Sequence, residues 1–530
     1  MKVGRAIWLS AATMASRVLG LLRDQLFAIL IGANRWSDAF VIAFRIPNLL
    51  RDLFAEGALS SAFVPTFADA RRNRGEAAAG RLAGTVVGLV LLVVGALVLA
   101  GALWSDELVR LLAPGMGAGE QAAAVLAGRL TRIMMPFLLL VSLAAVAMGM
   151  LNAQGRFTAP ALAPALFNVG SIAVGLGLWA AGWPPERAVV GWAAGTLLGG
   201  FLQLAAQLPS LRAAGGLPVP AVSRARLDDP GVRRIGRLMA ASVVGLSATQ
   251  VNIVVNTMFA SHEAGAVTWI QMAFRLMQLP LGVFGVAIAT VAGAGVAQAA
   301  AARDLPEVKR TLGSALRLVA FLNVPSAVGL AVLALPIVSL VYRHGRFAEA
   351  DAAATAEALA CYALGLYAYS AVKVMAPAFY ALDRSRVPVL GSVLGMVANV
   401  GLNAALYPVL GFRGVALGTS LAAGVNFLVL LLAWRKLYGG LGGAGVVRQL
   451  GPVLLASGAL ALAAWGASAG LGALRLGGGL GGQLVRGLVP VAVGAGVYFA
   501  AARALGVAEL GELASALRRR RGRAGAAPSP

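Results

Sequence analysis

The residues best placed to do chemistry are eight ionisable side chains within the first two hydrophobic stretches of the chain. A charged group at the centre of a bilayer costs about 3 kcal/mol on a lenient insertion scale, so this set facing lipid would cost on the order of 20 kcal/mol. We therefore expect these side chains to face a water-filled cavity or one another. An excess of arginine favours an anionic ligand, because the planar guanidinium binds phosphate oxygens in pairs. The eight are Arg17, Arg23, Asp24, Asp38, Arg45, Arg51, Asp52 and Glu56.

Helical spacing groups these charges on common faces. Asp38, Arg45 and Asp52 are seven residues apart and share one stripe of the second helix, and Arg17 and Asp24 share a face of the first. Two interpretations remain open at this point. Either the acids position the arginines in a substrate cavity, or a lattice of ion pairs joins the first two spans. The cavity is favoured, because a purely structural contact between membrane helices would more simply use small residues.

Composition places the chain among polytopic membrane proteins. Of its 530 residues, 59% are hydrophobic and 12% are charged, and the mean hydropathy is +0.82. Since a helical span needs about 20 apolar residues, we predict an all-α fold with fourteen spans. The net charge of +23 is better explained by orientation and anionic lipids than by nucleic acid. The predicted spans are residues 6–30, 37–66, 82–104, 133–152, 158–181, 188–209, 238–260, 265–297, 314–341, 354–381, 387–409, 413–434, 449–470 and 487–505.

Basic residues are distributed unevenly between the predicted loops. With the N-terminus inside, the 44 Lys and Arg residues divide into 27 in inside loops and tails, 10 outside and seven within spans. An excess of basic residues in alternate loops marks the cytoplasmic side. Both termini are therefore predicted to be cytoplasmic.

An internal repeat relates the two halves of the chain. Phe44-Arg45 is echoed by Phe274-Arg275 at an offset of 230, and two further motif pairs follow in the same order. An even number of spans per repeat predicts two six-helix lobes related by an axis along the membrane normal, with a central cavity between them. The predicted domains are an N-lobe (1–210), a cytoplasmic linker (211–237), a C-lobe (238–438), two additional helices (439–510) and a basic cytoplasmic tail (511–530).

Several positions within spans need separate interpretations. Arg275 either faces the cavity from the second lobe or extends its charge from a helix end to the interface, and the second interpretation is preferred for Arg317 and Lys373. Breaks are predicted at Pro, Gly and Pro residues of span 2 and at two glycines of span 8, where a long helix could bend between states. These residues are Pro47, Gly57, Pro65, Gly282 and Gly285.

Signals of catalysis are missing from the sequence. His262 and His344 are its two histidines, both in predicted external loops, and Cys361 is its one cysteine. We find no zinc-protease, P-loop or nucleophile-elbow motif. A membrane glycosyltransferase would need an acid pair beside a large extramembrane loop, and a purely structural scaffold would leave the buried charges unexplained. The sequence favours a transporter without a cofactor, driven by an ion gradient or the membrane potential.

Three segments resemble the MurJ/MviN lipid II flippases of the MOP superfamily: SRVLGLLRD from Ser16, SDAFVIAFRIPNLLRDLFAEGALSSAFVP from Ser37 and FRLMQLPLGVFGVAIAT from Phe274. The resemblance implies a fourteen-helix, two-lobe inner-membrane protein. Such a protein moves the undecaprenyl-pyrophosphate-linked peptidoglycan precursor to the outer leaflet by alternating access. Lipid II, membrane lipids and the cell-wall synthesis machinery are the partners implied. The alternative is an ion-coupled exporter of another polyprenyl-linked oligosaccharide or of drugs.

The resemblance also implies roles for particular residues. The last two spans correspond to a lipid-facing groove for the polyprenyl tail, and the matching arginines are the cations of the cavity, with two acids in the same region. On closure at the cytoplasmic side, the loop that carries Arg71, Arg72 and Arg74 is expected to meet the 210–237 linker. The implied cavity residues are Arg17, Arg23, Arg51 and Arg275, with Asp38 and Glu56, and we add Arg45 and Asp24 from their spacing.

Two departures from the family pattern concern charge. Phe274 and Gln278 stand where members commonly have acids, which makes the cavity more positive. Where some relatives hold sodium with carboxylates, this chain has only amides and a hydroxyl. Neutral oxygens make a weaker site for a hard cation, so sodium coupling is an open question. The corresponding residues are Asn256, Asn399, Asn403 and Thr419.

Overall fold

The computed structural model describes residues 3–53, 59–117, 121–441, 445–474 and 479–511. Within these ranges the regular structure is entirely helical, which confirms the predicted all-α class. The contacts between residues divide the chain into two compact units. The first contains residues 1–268 and 344–348, and the second contains residues 269–343 and 349–530.

The first unit contains twelve complete described helices and the first residues of a thirteenth. They are α1 (Val3–Ile31), α2 (Arg35–Leu50), α3 (Ser60–Leu89), α4 (Gly95–Leu103), α5 (Ser105–Leu112), α6 (Gln121–Met134), α7 (Pro136–Ala153), α8 (Thr158–Ala180), α9 (Pro185–Ala205), α10 (Leu208–Arg212), α11 (Arg224–Leu227) and α12 (Pro230–Ala260).

Helix α13 (Ala266–Pro280) begins in the first unit and continues into the second. The other described helices of the second unit are α14 (Ala287–Ala301), α15 (Leu305–Val332), α16 (Ala334–Tyr342), α17 (Glu349–Ala363), α18 (Leu366–Ala381), α19 (Arg386–Leu410), α20 (Phe412–Tyr438), α21 (Gly445–Ala473) and α22 (Leu480–Ala504).

Among the described residues, ten helical segments are long and apolar enough to cross a membrane, or eleven if the pair α17 and α18, bent by 43°, is one span. These eleven coincide with the predicted spans 3–6 and 8–14. The predicted spans 1 and 7 correspond to α1 and α12, which are 29 and 31 residues long. Span 2 corresponds to α2 together with the start of α3. The chain is therefore a multi-pass membrane protein, and its helices are consistent with the fourteen predicted spans.

Small and aromatic residues pack the first unit. Gly170 and Gly199 let α8 and α9 approach until a Cβ at Gly170 would lie 3.0 Å from the Gly199 Cα. Such close backbone contact is typical of membrane helices, which gain little from apolar burial alone. Phe44 stacks on Phe40 and contacts Phe137, with ring centroids 5.9 and 5.4 Å apart. These contacts hold the charged helix α2 against the apolar interior.

Helix α12 belongs to the first unit by contact, although the predicted repeat assigns most of it to the C-lobe. It packs along α3 and also contacts α5. The units are defined by contacts between residues, whereas the predicted lobes are defined by the internal sequence repeat. The contacts therefore do not test the predicted domain boundaries, which remain a prediction. The placement matters for function, because α12 lies in the same unit as α1 and α2, which carry most of the described candidate site residues.

The helix breaks only partly follow the prediction for span 2. Helix α2 contains Pro47 and ends at Leu50, and residues 51–53 have π-type hydrogen bonding. The break predicted at Pro65 is wrong: α3 continues through it, because a proline near the start of a helix removes only one backbone hydrogen bond. The non-helical residue of α3 is Gly75, with φ of 85°. Gly57 lies outside the described residues.

Span 8 departs from regular α-helix at the predicted glycines, which confirms the predicted break. Residues Leu281–Val286 form a π-helix between α13 and α14, and this segment contains Gly282 and Gly285. Gly285 also permits a close approach, since a Cβ there would lie 2.5 Å from the Ser370 hydroxyl oxygen. π-Helical turns are frequent at functional sites, and this one follows Arg275 by two turns.

In the second unit, the C-terminal pair α21 and α22 packs on α15 and α16. Phe321, Leu460 and Tyr498 form part of the shared apolar core, and the Tyr498 hydroxyl donates to the Phe321 carbonyl at 2.5 Å. Beyond α22, the buried Glu509 accepts from Nε of Arg317 at 3.1 Å. The last two helices are thus joined to the second unit by a core and a buried ion pair.

Candidate functional site

The first element of the candidate site is an ion pair on α1. Nη2 of Arg23 lies 2.9 Å from Oδ1 of Asp24, and each side chain is 14% exposed. The guanidinium also lies over the Phe167 ring, 5.3 Å from its centroid. The aspartate and the ring fix the orientation of an arginine that keeps some contact with the surface. Such a group suits recognition of an anion, because little rotamer freedom is left to lose on binding.

A second pair with the same geometry follows α2. Nη2 of Arg51 lies 2.9 Å from Oδ1 of Asp52, with side-chain exposures of 23% and 30%. In both pairs, Nε and Nη2 donate to a single carboxylate oxygen. This contact uses one edge of a guanidinium that carries five N–H donors. The sequence Arg-Asp therefore occurs twice in the first two spans as a partly exposed pair, with the arginine oriented by its neighbour.

Asp38 has a different environment, because it is buried and 2% exposed. Its Oδ2 accepts from the Gly265 amide at 2.6 Å, and its Oδ1 accepts from the Thr268 amide and hydroxyl at 2.8 and 2.6 Å. Asp38 thus supplies the N-terminal cap of α13 from a different helix. This geometry assigns it to holding α13 in place, and its predicted contact with substrate remains a prediction.

Arg45 connects α2 to α12 within the first unit. Its Nη1 donates to the Ile253 carbonyl at 3.3 Å and to the Thr257 hydroxyl. The stripe of Asp38 and Arg45 therefore faces α12 and the turn that precedes α13. Arg45 therefore holds α12, and Asp38 holds the start of α13.

The remaining candidates are dispersed. Arg17 is exposed on α1, and Arg275 is half-buried on α13 in the second unit. Glu56 lies outside the described residues. The structure therefore brings each Arg-Asp pair together, and it places Arg17 on the same helix as the first pair.

A third group of charges joins α3 to the start of α12. Arg74 and Asp229 form a bidentate pair, with Nη1–Oδ1 and Nη2–Oδ2 distances of 3.1 and 2.8 Å. The hydrogen bonds from Arg74 hold the pKa of the Asp229 carboxyl below its usual value, against the opposing effect of partial burial, and the Gly231 amide contributes in the same direction. Asp229 is also the N-cap of α12, since its Oδ1 accepts from the Gly231 amide at 2.7 Å. The Arg74 loop and the linker are therefore in contact, and their coming together on closure at the cytoplasmic side remains a prediction.

The linker itself lies across α3. The Ala221 amide donates to the Gly84 carbonyl at 3.2 Å, and both Gly84 and Gly88 leave room for the linker backbone. A cavity of about 450 Å³ opens beside this contact, with Arg81 and Arg226 in its wall. None of the described candidate site residues lines that cavity, so it is separate from the arginine pairs.

Three of the four candidate cation ligands do lie together in the second unit. Asn399 donates to the Thr419 hydroxyl at 3.3 Å, and Asn403 donates to the Asn399 side-chain oxygen at 3.4 Å. Asn256 is on α12 in the first unit. Hard cations prefer oxygen ligands that include carboxylates. The oxygens here are neutral, and the Thr419 hydroxyl and the Asn399 side-chain oxygen already accept hydrogen bonds from amides, so sodium binding at this weak candidate site remains a prediction.

The sequence did not reveal which distant residues form hydrogen bonds or ion pairs with Asp38 and Arg317. Thr268 is 230 residues from Asp38, and Glu509 is 192 residues from Arg317, so no local pattern marks either contact. Asp229 did have a signal, because an aspartate directly before a proline is typical of a helix start.

An all-α multi-pass protein with oriented arginine pairs in its first two spans and a π-helical break in a later span has the features of a secondary transporter. The comparisons identify the family. The sequence profile described as lipid II flippase MurJ matches residues 27–472. This chain belongs to the MurJ family.

Individual relatives support this assignment. The lipid II flippase MurJ of Burkholderia cenocepacia is 36% identical over 432 residues, covering 81% of this chain and 82% of the relative. The probable lipid II flippase MurJ of Vibrio cholerae is 35% identical over 443 residues, covering 82% of each chain. A solved lipid II flippase MurJ in an inward closed conformation has a TM-score of 0.77 and 25% identity, over 94% of this chain and 98% of that chain.

The fold extends beyond the family. An inward-facing multidrug resistance MATE family transporter of the MOP superfamily has a TM-score of 0.64 and 20% identity, over 79% of this chain and 94% of that chain. At this identity the likeness concerns the fold alone. It agrees with the superfamily that the sequence motifs indicate.

Proposed function

We propose that this chain is a lipid II flippase, which moves the undecaprenyl-pyrophosphate-linked precursor of peptidoglycan from the cytoplasmic to the outer leaflet of the inner membrane by alternating access. The observation that carries this proposal is the similarity to relatives named lipid II flippase over about four fifths of the chain. The two Arg-Asp pairs supply the chemistry that an anionic lipid headgroup requires.

The pyrophosphate is the part of the substrate that arginine recognises best. A guanidinium binds two phosphate oxygens in one plane, and such charge-assisted hydrogen bonds are about twice as strong as neutral ones. We assign Arg23 and Arg51 to this role, together with Arg17 on the same helix as Arg23 and Arg275 on α13. Asp24 and Asp52 orient their neighbouring arginines.

The acids and the other elements have supporting roles in this proposal. Asp38 holds the start of α13 in place, and Arg45 holds α12. The polyprenyl tail stays in lipid along α21 and α22, which expose large apolar side chains such as Leu462 on α21 and Leu488 on α22. The basic inside loops set both termini in the cytoplasm. Membrane lipids and enzymes of cell-wall synthesis are candidate partners.

The driving force is the membrane potential or an ion gradient. One elementary charge crossing 100 mV is worth about 2.3 kcal/mol, and an empty arginine-rich cavity is drawn back toward the negative cytoplasmic side. No step of this scheme requires sodium, because the Asn399 cluster offers only neutral oxygens, which make a weaker site for a hard cation.

A bacterial strain depleted of its own lipid II flippase tests the proposal. This chain should restore growth and lower the amount of precursor facing the cytosol. Replacement of Arg23 or Arg275 by alanine should abolish rescue at normal expression and insertion. The matched control is Arg110→Ala, because Arg110 is 76% exposed and its ion pair with Glu107 is long, at 4.0 Å. Full rescue by Arg23→Ala would refute the assigned role, and failure of the unmodified chain would refute the function.

Export of drugs or of another polyprenyl-linked oligosaccharide is the alternative within transport. The MATE likeness does not favour drugs, because it concerns the fold alone. Cationic drugs also require acids and aromatics, whereas arginines predominate among the candidate residues. A labelled lipid II bound to the purified protein should be displaced by unlabelled lipid II but not by a cationic drug. Displacement by the drug would favour the alternative.

A further inference from the structure

The cavity of about 450 Å³ beside the linker lies within the first unit and apart from the described candidate site residues. We call it the linker cavity. Its walls come from α3, from the end of α7 and from the linker between residues 214 and 226. Most of the lining residues are apolar, among them Phe67, Met150 and Leu217, and the polar ones are few. This volume and this composition are typical of sites that bind small molecules.

The linker wall of the cavity is held in place from both sides. On the side of α3, the Ala221 amide donates to the Gly84 carbonyl, and a Cβ at Gly84 would overlap the Val219 carbonyl oxygen. On the side of α7, Nη2 of Arg156 donates to the Ala213 carbonyl at 2.8 Å. The cavity is therefore formed before any ligand arrives, and little order has to be gained on binding.

Two arginines of the wall carry charge that the neighbouring acids do not neutralise. Arg81 is exposed on α3, and Arg226 is half-buried on α11. Among the described residues, none forms an ion pair or a side-chain hydrogen bond with either guanidinium. The acids closest to them in sequence are already paired with other arginines, so the cavity has an excess of positive charge. Those pairs are Arg71–Glu76, Arg233–Asp228 and Arg74–Asp229, with N–O distances of 2.6, 2.6 and 2.8 Å.

We propose that the linker cavity binds a phosphate group attached to an apolar or aromatic part, with Arg81 and Arg226 holding the phosphate oxygens. Each planar guanidinium binds two oxygens, and the apolar wall around Phe67 and Met150 contacts the rest of the ligand. Two sources offer this chemistry on the side predicted to be cytoplasmic. One is a dissolved phosphate ester, and the other is the headgroup of an anionic phospholipid, which basic pockets between membrane helices bind. The site goes beyond the proposed flippase function and does not depend on it.

The competing explanation is that these arginines serve only as basic residues of cytoplasmic loops, which set the orientation of the chain. That explanation applies equally to Arg212 at the end of α10. Arg212 is exposed in the same unit, forms no ion pair with a described residue and is not part of the cavity wall. Arg212 is therefore the matched control for Arg81 and Arg226.

Hydrogen exchange tests the site locally on the purified full-length protein in a neutral, phosphate-free detergent such as dodecyl maltoside. The probe is phenyl phosphate, which combines a phosphate with an aromatic ring. It should slow deuterium uptake in the peptide covering residues 213–222 in a saturable way, because these residues form the linker wall. Phenol, which lacks the phosphate, should have no effect. Equal slowing by phenol would show that phosphate is not recognised and would overturn the proposal.

Charge-neutral variants test the two arginines in the same titration. Arg81→Gln and Arg226→Gln should each raise the Kd for phenyl phosphate by roughly tenfold, the effect of losing one charge-assisted contact. Arg212→Gln should leave the Kd unchanged. An equal rise in all three variants would mean that the phosphate is attracted by the general positive charge of this face rather than by the cavity.

A variant that fills the cavity tests the site without changing its charge. Gly80 on α3 lines the cavity, and a Cβ there would meet nothing within 4 Å, so Gly80→Leu places a bulky side chain at the wall. The matched control is Gly236→Leu on α12, where a Cβ also meets nothing within 4 Å but the cavity is not lined. Leucine favours a helix more than glycine does, so both variants should fold. Gly80→Leu alone should abolish the slowing by phenyl phosphate, and unchanged binding in this variant would overturn the site.

Nanodiscs of two compositions separate the two sources of phosphate. One contains phosphatidylcholine alone, and the other contains an equal mixture of phosphatidylcholine and phosphatidylglycerol. If the ligand is a lipid headgroup, phosphatidylglycerol alone should slow exchange at residues 213–222 in the unmodified protein but not in Arg81→Gln, and it should compete with phenyl phosphate. If the ligand is a dissolved ester, phosphatidylglycerol should have no effect and phenyl phosphate should act in both discs. Exchange that neither probe slows would overturn the proposal, whatever the outcome of the flipping assay.

Discussion

The two ends of the first unit are held together by different chemistry. At the end where α1 finishes and α2 begins, Asp38 and Arg346 bind backbone groups, and Asp38 is buried. At the other end, Arg74 and Asp229 bind each other at the surface, and Arg234 lies 4.0 Å from Asp69. At the Asp38 end, charged side chains form hydrogen bonds with neutral backbone groups. At the Arg74 end, charged side chains form exposed ion pairs with each other.

This difference predicts unequal resistance to opening. Exposed ion pairs contribute little because solvent and salt screen them. A buried carboxylate that accepts several hydrogen bonds contributes more, because its removal leaves N–H groups without acceptors in a dry environment. We therefore expect the Asp38 end to be the stable one and the Arg74 end to be easily opened and sensitive to salt.

The largest effect is expected for Asp38→Ala. It removes three hydrogen bonds to a buried charge and should destabilise the protein by about 4 kcal/mol. Thermal unfolding in detergent measures the change. The control is Asp69→Ala, because Asp69 is 53% exposed and its one described ion pair is long. Equal thermal midpoints for the two variants would contradict the expectation that the Asp38 end is more stable than the Arg74 end.

A buried ion pair in the second unit extends the comparison between buried and exposed charges. Glu509 is 2% exposed and Arg317 is 21% exposed, so Glu509→Ala leaves a half-buried arginine without its carboxylate. We expect a loss of about 3 kcal/mol, less than for Asp38 because Arg317 can reach water. Limited proteolysis between α20 and α21 should accelerate. No change relative to Glu107→Ala, whose carboxylate is 60% exposed, would show that burial is not the deciding factor.

How much of this could be predicted depends on the range of the contacts. Hydropathy and spacing are local, so they correctly predicted the helical class, the spans and the break near Gly282. The Arg23 and Arg51 pairs join sequence neighbours. The spacing argument instead placed Asp24 on a face with Arg17 and Asp52 on a stripe with Arg45, so it found the charges but not these pairings. The contact of Arg346 with Leu30, the Asp38 cap and the Glu509 pair join residues more than 190 apart, and no local pattern selects one distant carbonyl or amide over another.

At the Arg74 end, two Asp229 variants separate the cap from the ion pair. Asp229→Asn keeps an oxygen that can cap α12, whereas Asp229→Ala loses it and should cost about 1 kcal/mol more. Raising the salt concentration should weaken the Arg74–Asp229 ion pair of the unmodified protein. The Asp229→Asn variant has no carboxylate there, so its exchange rate should not change with salt. The measurement is hydrogen exchange at the start of α12. The contact of Arg346 with the end of α1 should show no such dependence on salt, because Arg346 binds carbonyls rather than carboxylates.

The smallest effect is the dependence on pH. The usual pKa of 3.8 for the Asp229 carboxyl is lowered in the fold, chiefly by the hydrogen bonds from Arg74. A lowered pKa contributes stability that is present above the unfolded value and is lost as the pH falls through the folded value. The difference in exchange between the unmodified protein and Asp229→Asn should therefore stay constant from about pH 5 to 8 and disappear only in stronger acid. A difference that disappears near neutral pH would mean that a group other than Asp229 controls this end.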